Sequence, residues 1–188
     1  KDLKSSDSLV DRKNLNLFTG SSSIRMWSDM EERFAGYNVL NRGFGGSQMS
    51  EMLYYSWELI TDYRPGRVFI YEGDNDLAAG KTTEEILSDA DKLLTVLRAE
   101  LGGEVKIIFI TPKPSISRWD MHPRFESFIA SQKKWAAAKR NVAVVDVWSL
   151  MLDDKGVVMQ DLFIEDGLHM NQKGYDIWEK AIRPLLVR

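Results

Sequence analysis

Three consecutive serines, Ser21, Ser22 and Ser23, follow Gly20, and far downstream Asp166 and His169 stand three positions apart. A serine hydroxyl becomes a useful nucleophile only when a base takes its proton. An imidazole, with an ordinary pKa of about 6.5, does this at neutral pH. A carboxylate on its other nitrogen fixes the tautomer and supports the cation that forms. Acyl transfer also needs hydrogen-bond donors aimed at the developing oxyanion, each worth about 3–4 kcal/mol by deletion. The backbone N–H groups of Ser22 and Gly46 and the side-chain amide of Asn75 are the donors available for that role. Base catalysis by an imidazole predicts a rate that falls below about pH 6–7.

Taken singly, each of these pieces has an ordinary structural explanation. A Gly-Ser turn after a strand can simply start a helix, and Gly43-Phe44-Gly45-Gly46 can be a flexible turn. Asn75 can be a left-handed turn residue between two solvated aspartates, and Asp166 with His169 can cap a local turn. Their positions along the chain relate them to one another. Continuous, β-branched apolar runs at residues 15–19, 37–40, 67–71, 105–110 and 142–146 predict strands buried on both faces. Between them lie helical patterns. Met49, Leu53, Trp57 and Ile60 form one stripe, and Ile86, Ala90, Leu93, Leu94 and Leu97 form another behind a capping box from Thr82 to Glu85. Residues 123–140 and 171–186 complete the set, with Asn171 as N-cap and Tyr175, Trp178, Ile182 and Leu185 as the buried stripe of the last helix.

This alternation predicts an α/β fold, a three-layer α/β/α sandwich on a parallel sheet of about five strands. Residues 1–14 are polar and predict a flexible arm, leaving residues 15–188 as the domain. In open parallel sheets ligands bind beyond the carboxyl ends of the strands. Ser21 to Ser23, Gly43 to Ser47, Glu72 to Asp76, residues 111–122 and Glu165 to His169 all fall on that rim.

Four blocks, in order, resemble those of the SGNH hydrolase superfamily, the GDSL-like esterases, lipases and acylhydrolases. Phe18-Thr19-Gly20-Ser21-Ser22-Ser23-Ile24 is similar to the first, Asn41-Arg42-Gly43-Phe44-Gly45-Gly46 to the second and Gly73-Asp74-Asn75-Asp76 to the third. Asp166-Gly167-Leu168-His169, followed by Asn171, Gly174 and Tyr175, is similar to the last. The resemblance implies a flavodoxin-like sheet and a serine esterase with Ser22 as nucleophile, His169 as base and Asp166 as its partner. It implies an oxyanion hole of Ser22, Gly46 and Asn75, with no cofactor and no metal. The family's first block reads Gly-Asp-Ser, and Ser21 stands here in place of the Asp. That Asp braces the turn and is no triad member, so the departure bears on geometry rather than chemistry. Ser22 keeps the family's spacing to the preceding strand; Ser23 would shift the nucleophile by one residue.

Composition narrows the field further. With 44% hydrophobic and 28% charged residues in 188, the chain reads as a soluble globular protein. A net charge of −3 without a basic block argues against a nucleic-acid partner. The absence of cysteine excludes disulfides, thiolate metal sites and a cysteine nucleophile. No apolar run approaches the roughly 18 residues of a membrane span. Because the chain begins at Lys1 rather than Met, an upstream segment is expected to have been trimmed, which favours export to the periplasm or exterior over a cytoplasmic location. Gly80-Lys81-Thr82 is no phosphate loop, since Asn75 stands where the upstream glycine is required. Glu72, Asp74 and Asp76 read as hydrated carboxylates rather than a metal site.

The rim residues suggest the substrate. Lys113, Arg118, Trp119 and His122 lie in the loop of residues 111–122, with Arg25, Trp27 and Arg42 expected nearby. Trp27, Arg42, Arg118 and Trp119 are the expected substrate contacts, whereas Trp57, Trp135 and Trp178 are expected in the core. A polar, aromatic rim suits short, acetyl-like esters on a small-molecule or saccharide carrier. Two other readings stay open here: a non-catalytic carbohydrate- or lipid-binding module on the same fold, and a thioesterase.

Overall fold

Five short strands run side by side in one direction in the computed structural model, which describes residues 10–188. They are β1 (Asn16–Gly20), β2 (Val39–Gly43), β3 (Arg67–Tyr71), β4 (Lys106–Ile110) and β5 (Val142–Val145), in the order β2-β1-β3-β4-β5. Every neighbouring pair is parallel. Parallel neighbours require crossovers, and these are helical. α3 (Met49–Tyr54), α4 (Ser56–Leu59), α6 (Thr83–Leu101) and α7 (His122–Ala137) cover one face; α1 (Ser22–Arg25), α2 (Met30–Arg33) and α8 (Gln172–Ile182) cover the other. A short α5 (Asp74–Ala78) caps β3.

The alternation of side chains along each strand builds two cores. Leu17, Val68, Ile70, Ile107 and Phe109 face α3, α6 and α7. Phe18, Phe69, Tyr71, Ile108 and Ile110 face α1 and α8, with Phe18 stacked on Phe69 at 4.4 Å. Tyr175, Trp178 and Ile182 place the apolar stripe of α8 on this second face. The expected caps are both formed. Thr82 Oγ1 accepts from the Glu85 N–H while Glu85 Oε2 accepts from that of Thr82, and Asn171 Oδ1 accepts from Lys173 and Gly174.

Three local expectations change. β2 starts and ends later than its apolar run, because as an edge strand it carries Asn41 with both ends of its amide satisfied, by the Ile24 carbonyl and the Gly43 N–H. The helix expected through Ile60 breaks at Tyr55 into α3 and α4, and Trp57 faces solvent at 55% exposure rather than entering the core. Residues 1–9 of the expected arm lie outside the described residues. In the remainder of the arm, the carbonyls of Asp11 and Lys13 accept from the Asn38 amide. Among the described residues, no helix is long and apolar enough to cross a membrane.

Candidate active site

The chain reverses direction sharply after β1, and Gly20 makes this possible. Its φ is +136°, and a Cβ there would lie 2.2 Å from the carbonyl oxygen of Tyr71 on β3. Ser21, the residue that departs from the Gly-Asp-Ser pattern, holds the turn with its backbone: its N–H donates to Tyr71 O and its carbonyl accepts from Ile24 and Arg25. Ser22 then opens α1 with its side chain on the rim. From the opposite side, the loop preceding α8 brings His169 Nε2 to 2.8 Å from Ser22 Oγ, a contact spanning 147 residues of chain. His169 Nδ1 lies 2.6 Å from Asp166 Oδ2. A proton on Nδ1 facing that carboxylate leaves Nε2 free to accept the serine hydroxyl proton. Ser23 is turned away; it is buried, and its carbonyl accepts from Tyr175 Oη.

Asp166 is bound tightly enough to remain an anion. Its Oδ1 accepts from the backbone N–H groups of Leu168 and His169. Desolvation pushes the carboxyl up, but the hydrogen bonds from the His169 ring and these two N–H groups outweigh it and hold the pKa at about 2. The same turn is braced from outside, where the Ser117 N–H donates to the Gly167 carbonyl at 3.0 Å.

Ser22 follows β1 and Asn75 follows β3, so the two flank the crevice between the strands where the order 2-1-3-4-5 changes direction. Gly46, at φ +78°, is exposed, and open space surrounds its Cβ position. Its neighbour Ser47 is buried, and the Ser47 carbonyl accepts from Asn75 Nδ2 at 3.0 Å. Asn75 Oδ1 in turn accepts from the Arg118 guanidinium at 3.2 Å.

Beneath this surface the carboxylates expected to be hydrated are buried. Asp76 accepts from the Met49 and Gly73 N–H groups and pairs with Lys81. Asp74 accepts from Tyr71 Oη and pairs with Arg118 and Lys113. Burial pushes the Asp74 carboxyl up, but Lys113 and Arg118 outweigh it and hold it below the usual range. Glu72 has no cation beside it among the described residues. Ser47 Oγ donates to its Oε1 at 2.5 Å, its Oε2 lacks a partner, and burial pushes its pKa well up. Among the described residues no group of three or more His, Asp or Glu is placed to hold a metal.

Of the four expected substrate contacts, Trp27 and Arg42 are corrected by burial, while Arg118 and Trp119 stay partly exposed at the rim. Trp27 is 1% exposed and packs on Tyr175, Trp178 and Phe34 in the second core, because α1 ends before it and turns it inward. Arg42 is buried, with Nε donating to Tyr63 Oη and the guanidinium over that ring. Lys113 likewise leaves the rim to pair with Asp74. Arg118 stays at the rim but spends its donors on Asp74 and Asn75. Trp119 is half-buried, stacked on His122 at 4.6 Å and near-parallel to Trp148 at 6.0 Å. Met26, Ile116 and Ile164 are exposed beside or within the loops of the site, so the rim is less polar than the residue types suggest. The Ser47–Glu72 and Asp74–Arg118 pairings escaped the sequence reading. Their partners lie 25 to 44 residues apart, a separation with no periodic signature.

Comparison with known proteins agrees with this fold. The family model described as "GDSL-like Lipase/Acylhydrolase family" matches residues 7–177. Several solved structures share the fold at low identity. One is a Bacteroides fragilis protein assigned as an acylhydrolase, at 21% identity and a TM-score of 0.81, covering 98% of this chain and 95% of that one. Another is a GDSL-like lipase from Bacteroides thetaiotaomicron, at 19% identity and a TM-score of 0.77, with coverage of 96% and 93%. A third is a variant of an acetyl-xylooligosaccharide esterase from Geobacillus stearmophilus, at 16% identity and a TM-score of 0.72, with coverage of 95% and 97%. No curated protein matches the sequence. The family match spans nearly the whole chain and includes all four blocks at the rim, and the chain therefore belongs to the GDSL-like lipase/acylhydrolase family and is a carboxylic ester hydrolase.

Proposed function

We propose that this hydrolase is a serine esterase that removes short acyl groups, acetyl above all, from a polar carrier such as a saccharide, through an acyl-enzyme on Ser22. The observation that carries the mechanism is the pair of hydrogen bonds through His169, 2.8 Å to Ser22 Oγ and 2.6 Å to Asp166 Oδ2. Ser22 Oγ attacks the acyl carbonyl carbon while its proton passes to His169 Nε2. Asp166 keeps Nδ1 protonated and supports the imidazolium. The carbonyl oxygen, now an anion, is held by the N–H groups of Ser22, Gly46 and Asn75. Collapse breaks the ester bond, and the departing alkoxide takes the proton from His169. Water then gives a proton to the same Nε2 and attacks the acyl carbon, and collapse of the second tetrahedral species returns the proton to Ser22 Oγ and frees the acid.

The short acyl group is supported by the exposure of Gly45 and Gly46 beside the Ser22 turn. A second support comes from what similar structures do: the acetyl-xylooligosaccharide esterase above, and a carbohydrate esterase of family 3 from Talaromyces cellulolyticus with a TM-score of 0.69. A chain-length series of aryl esters, run beside an acetylated xylo-oligosaccharide, tests the substrate. Rates are expected to be highest from acetyl to butyryl, with acetate released from the saccharide; rates climbing through octanoate would overturn the short-acyl assignment. Ser22→Ala is expected to lower kcat by about 10⁴-fold or more with an unchanged thermal midpoint. Full activity in that variant, with loss in Ser23→Ala, would move the nucleophile by one residue.

A further inference from the structure

We propose that Arg118 is the positioning residue of the oxyanion hole, its guanidinium locking the Asn75 amide in the one orientation that presents an N–H to the reacting carbonyl. This rests on the role given to Asn75 above. A carboxamide has nearly the same shape either way round, so only its partners decide which end points where. Here both ends are decided. Oδ1 accepts from Arg118 at 3.2 Å, and Nδ2 donates one hydrogen to the Ser47 carbonyl at 3.0 Å. A flip would set the NH2 group against a cation and Oδ1 against a carbonyl oxygen, two repulsive contacts in place of two hydrogen bonds. In the observed orientation Nδ2 keeps one N–H for the oxyanion. The guanidinium charge beside Oδ1 also draws density from the amide and strengthens that remaining donor.

Both clamps are themselves anchored. Arg118 donates to the Asp74 carboxylate and, at 3.2 Å, to the Asp74 carbonyl. That carboxylate accepts from Tyr71 Oη at 2.7 Å and lies 3.5 Å from Lys113 Nζ. On the other side Ser47 is held through its hydroxyl by Glu72 at 2.5 Å. Arg118 also belongs to a loop that touches the second half of the site, because the preceding residue, Ser117, binds the Gly167 carbonyl within the turn of Asp166 and His169. One loop after β4 therefore braces the oxyanion donor and the base together.

The test is a double-mutant cycle with a short aryl acetate, joined to NMR of the Asn75 side chain. Arg118→Ala is expected to lower kcat about 10–100-fold with KM within about twofold, and Asn75→Ala to lower it about 10²–10³-fold. In the Asn75→Ala background the Arg118 substitution should add less than about twofold. Arg118→Lys, which keeps a charge for Asp74 and guards against misfolding, should lose kcat too, since one ammonium does not hold both partners. An Arg118 effect confined to KM, or of equal size without Asn75, would overturn the proposal in favour of direct substrate contact. The Asn75 Nδ2 protons should give a resolved, slowly exchanging pair that shifts and exchanges faster in Arg118→Lys. An unchanged pair would overturn the clamp even if no ester were hydrolysed, an outcome that would separately sink the esterase reading.

Discussion

Asp166 and Glu72 are two carboxyl groups of the same site pushed in opposite directions, and their linkage to stability has opposite signs. The Asp166 carboxyl, at about 2, lies below its unfolded value of about 3.9, so its contribution is present above pH ~4 and is lost as pH falls towards 2. Glu72 is raised by burial, with Asp74, Asp76 and Glu51 adding like charge. The folded protein therefore holds a proton that the unfolded chain releases near pH ~4.3, and stability declines as pH rises from there towards the folded value. Glu72→Gln keeps an oxygen for the Ser47 hydroxyl and removes the titration. Urea midpoints of the variant and the wild type should coincide at about pH 4 and separate in favour of the variant as pH rises to 8. Parallel profiles over that range would show that Glu72 is not the titrating group.

The turn between β1 and α1 is the element on which the chemistry depends, and Gly20 is its tightest point. Ala at this position places a Cβ 2.2 Å from Tyr71 O at a φ of +136°, so β1 must move away from β3 or the turn must change shape. Gly20→Ala is expected to cost about 2–4 kcal/mol and to lower kcat about 100-fold by displacing Ser22. Gly46→Ala meets only the backbone penalty of its positive φ, about 1–2 kcal/mol, because nothing lies within 4 Å of the new methyl. Denaturant unfolding and steady-state rates of both variants give the comparison. A Gly20 variant as stable and active as the Gly46 variant would refute the account of the turn.

Across the whole molecule, the two ends of the sheet have separate duties. The carboxyl ends of the strands carry the site, while at the start of β1 the buried Asn16 ties that strand to the C-terminal segment and to the residue preceding β2. Its Oδ1 accepts from the Val187 N–H, and its Nδ2 donates to the Val187 and Asn38 carbonyls. A strand of five residues at about 3.3 Å each separates that network from Ser22 by roughly 16 Å. Asn16→Ala should therefore cost about 2–4 kcal/mol through buried groups left unpaired, with kcat/KM unchanged below the unfolding transition. Loss of activity at full stability would contradict the separation.

Features set by neighbours in sequence were legible in it. The apolar runs of β1, β3, β4 and β5 and the alternation with helices follow from local periodicity. The Thr82–Glu85 box and the Asn171 cap each close over three residues. Ser22 and Asn75 stood out because each lies in a short block at the end of a predicted strand, and Asp166 and His169 because they stand three positions apart just ahead of the Asn171 cap. What only the tertiary structure decided is which way rim side chains turn. Trp27 and Arg42 look like ligand contacts by type and position, yet each packs on residues brought in from another part of the chain. The break at Tyr55 exposes Trp57, although the stripe from Met49 to Ile60 is periodic throughout. Arg118, in the loop after β4, meets Asn75 in the first turn of α5 across 43 residues, and no spacing encodes such a contact. A parallel sheet joins loops from separate crossovers at one rim, so the chemistry of that rim depends on three-dimensional packing that local sequence patterns do not record.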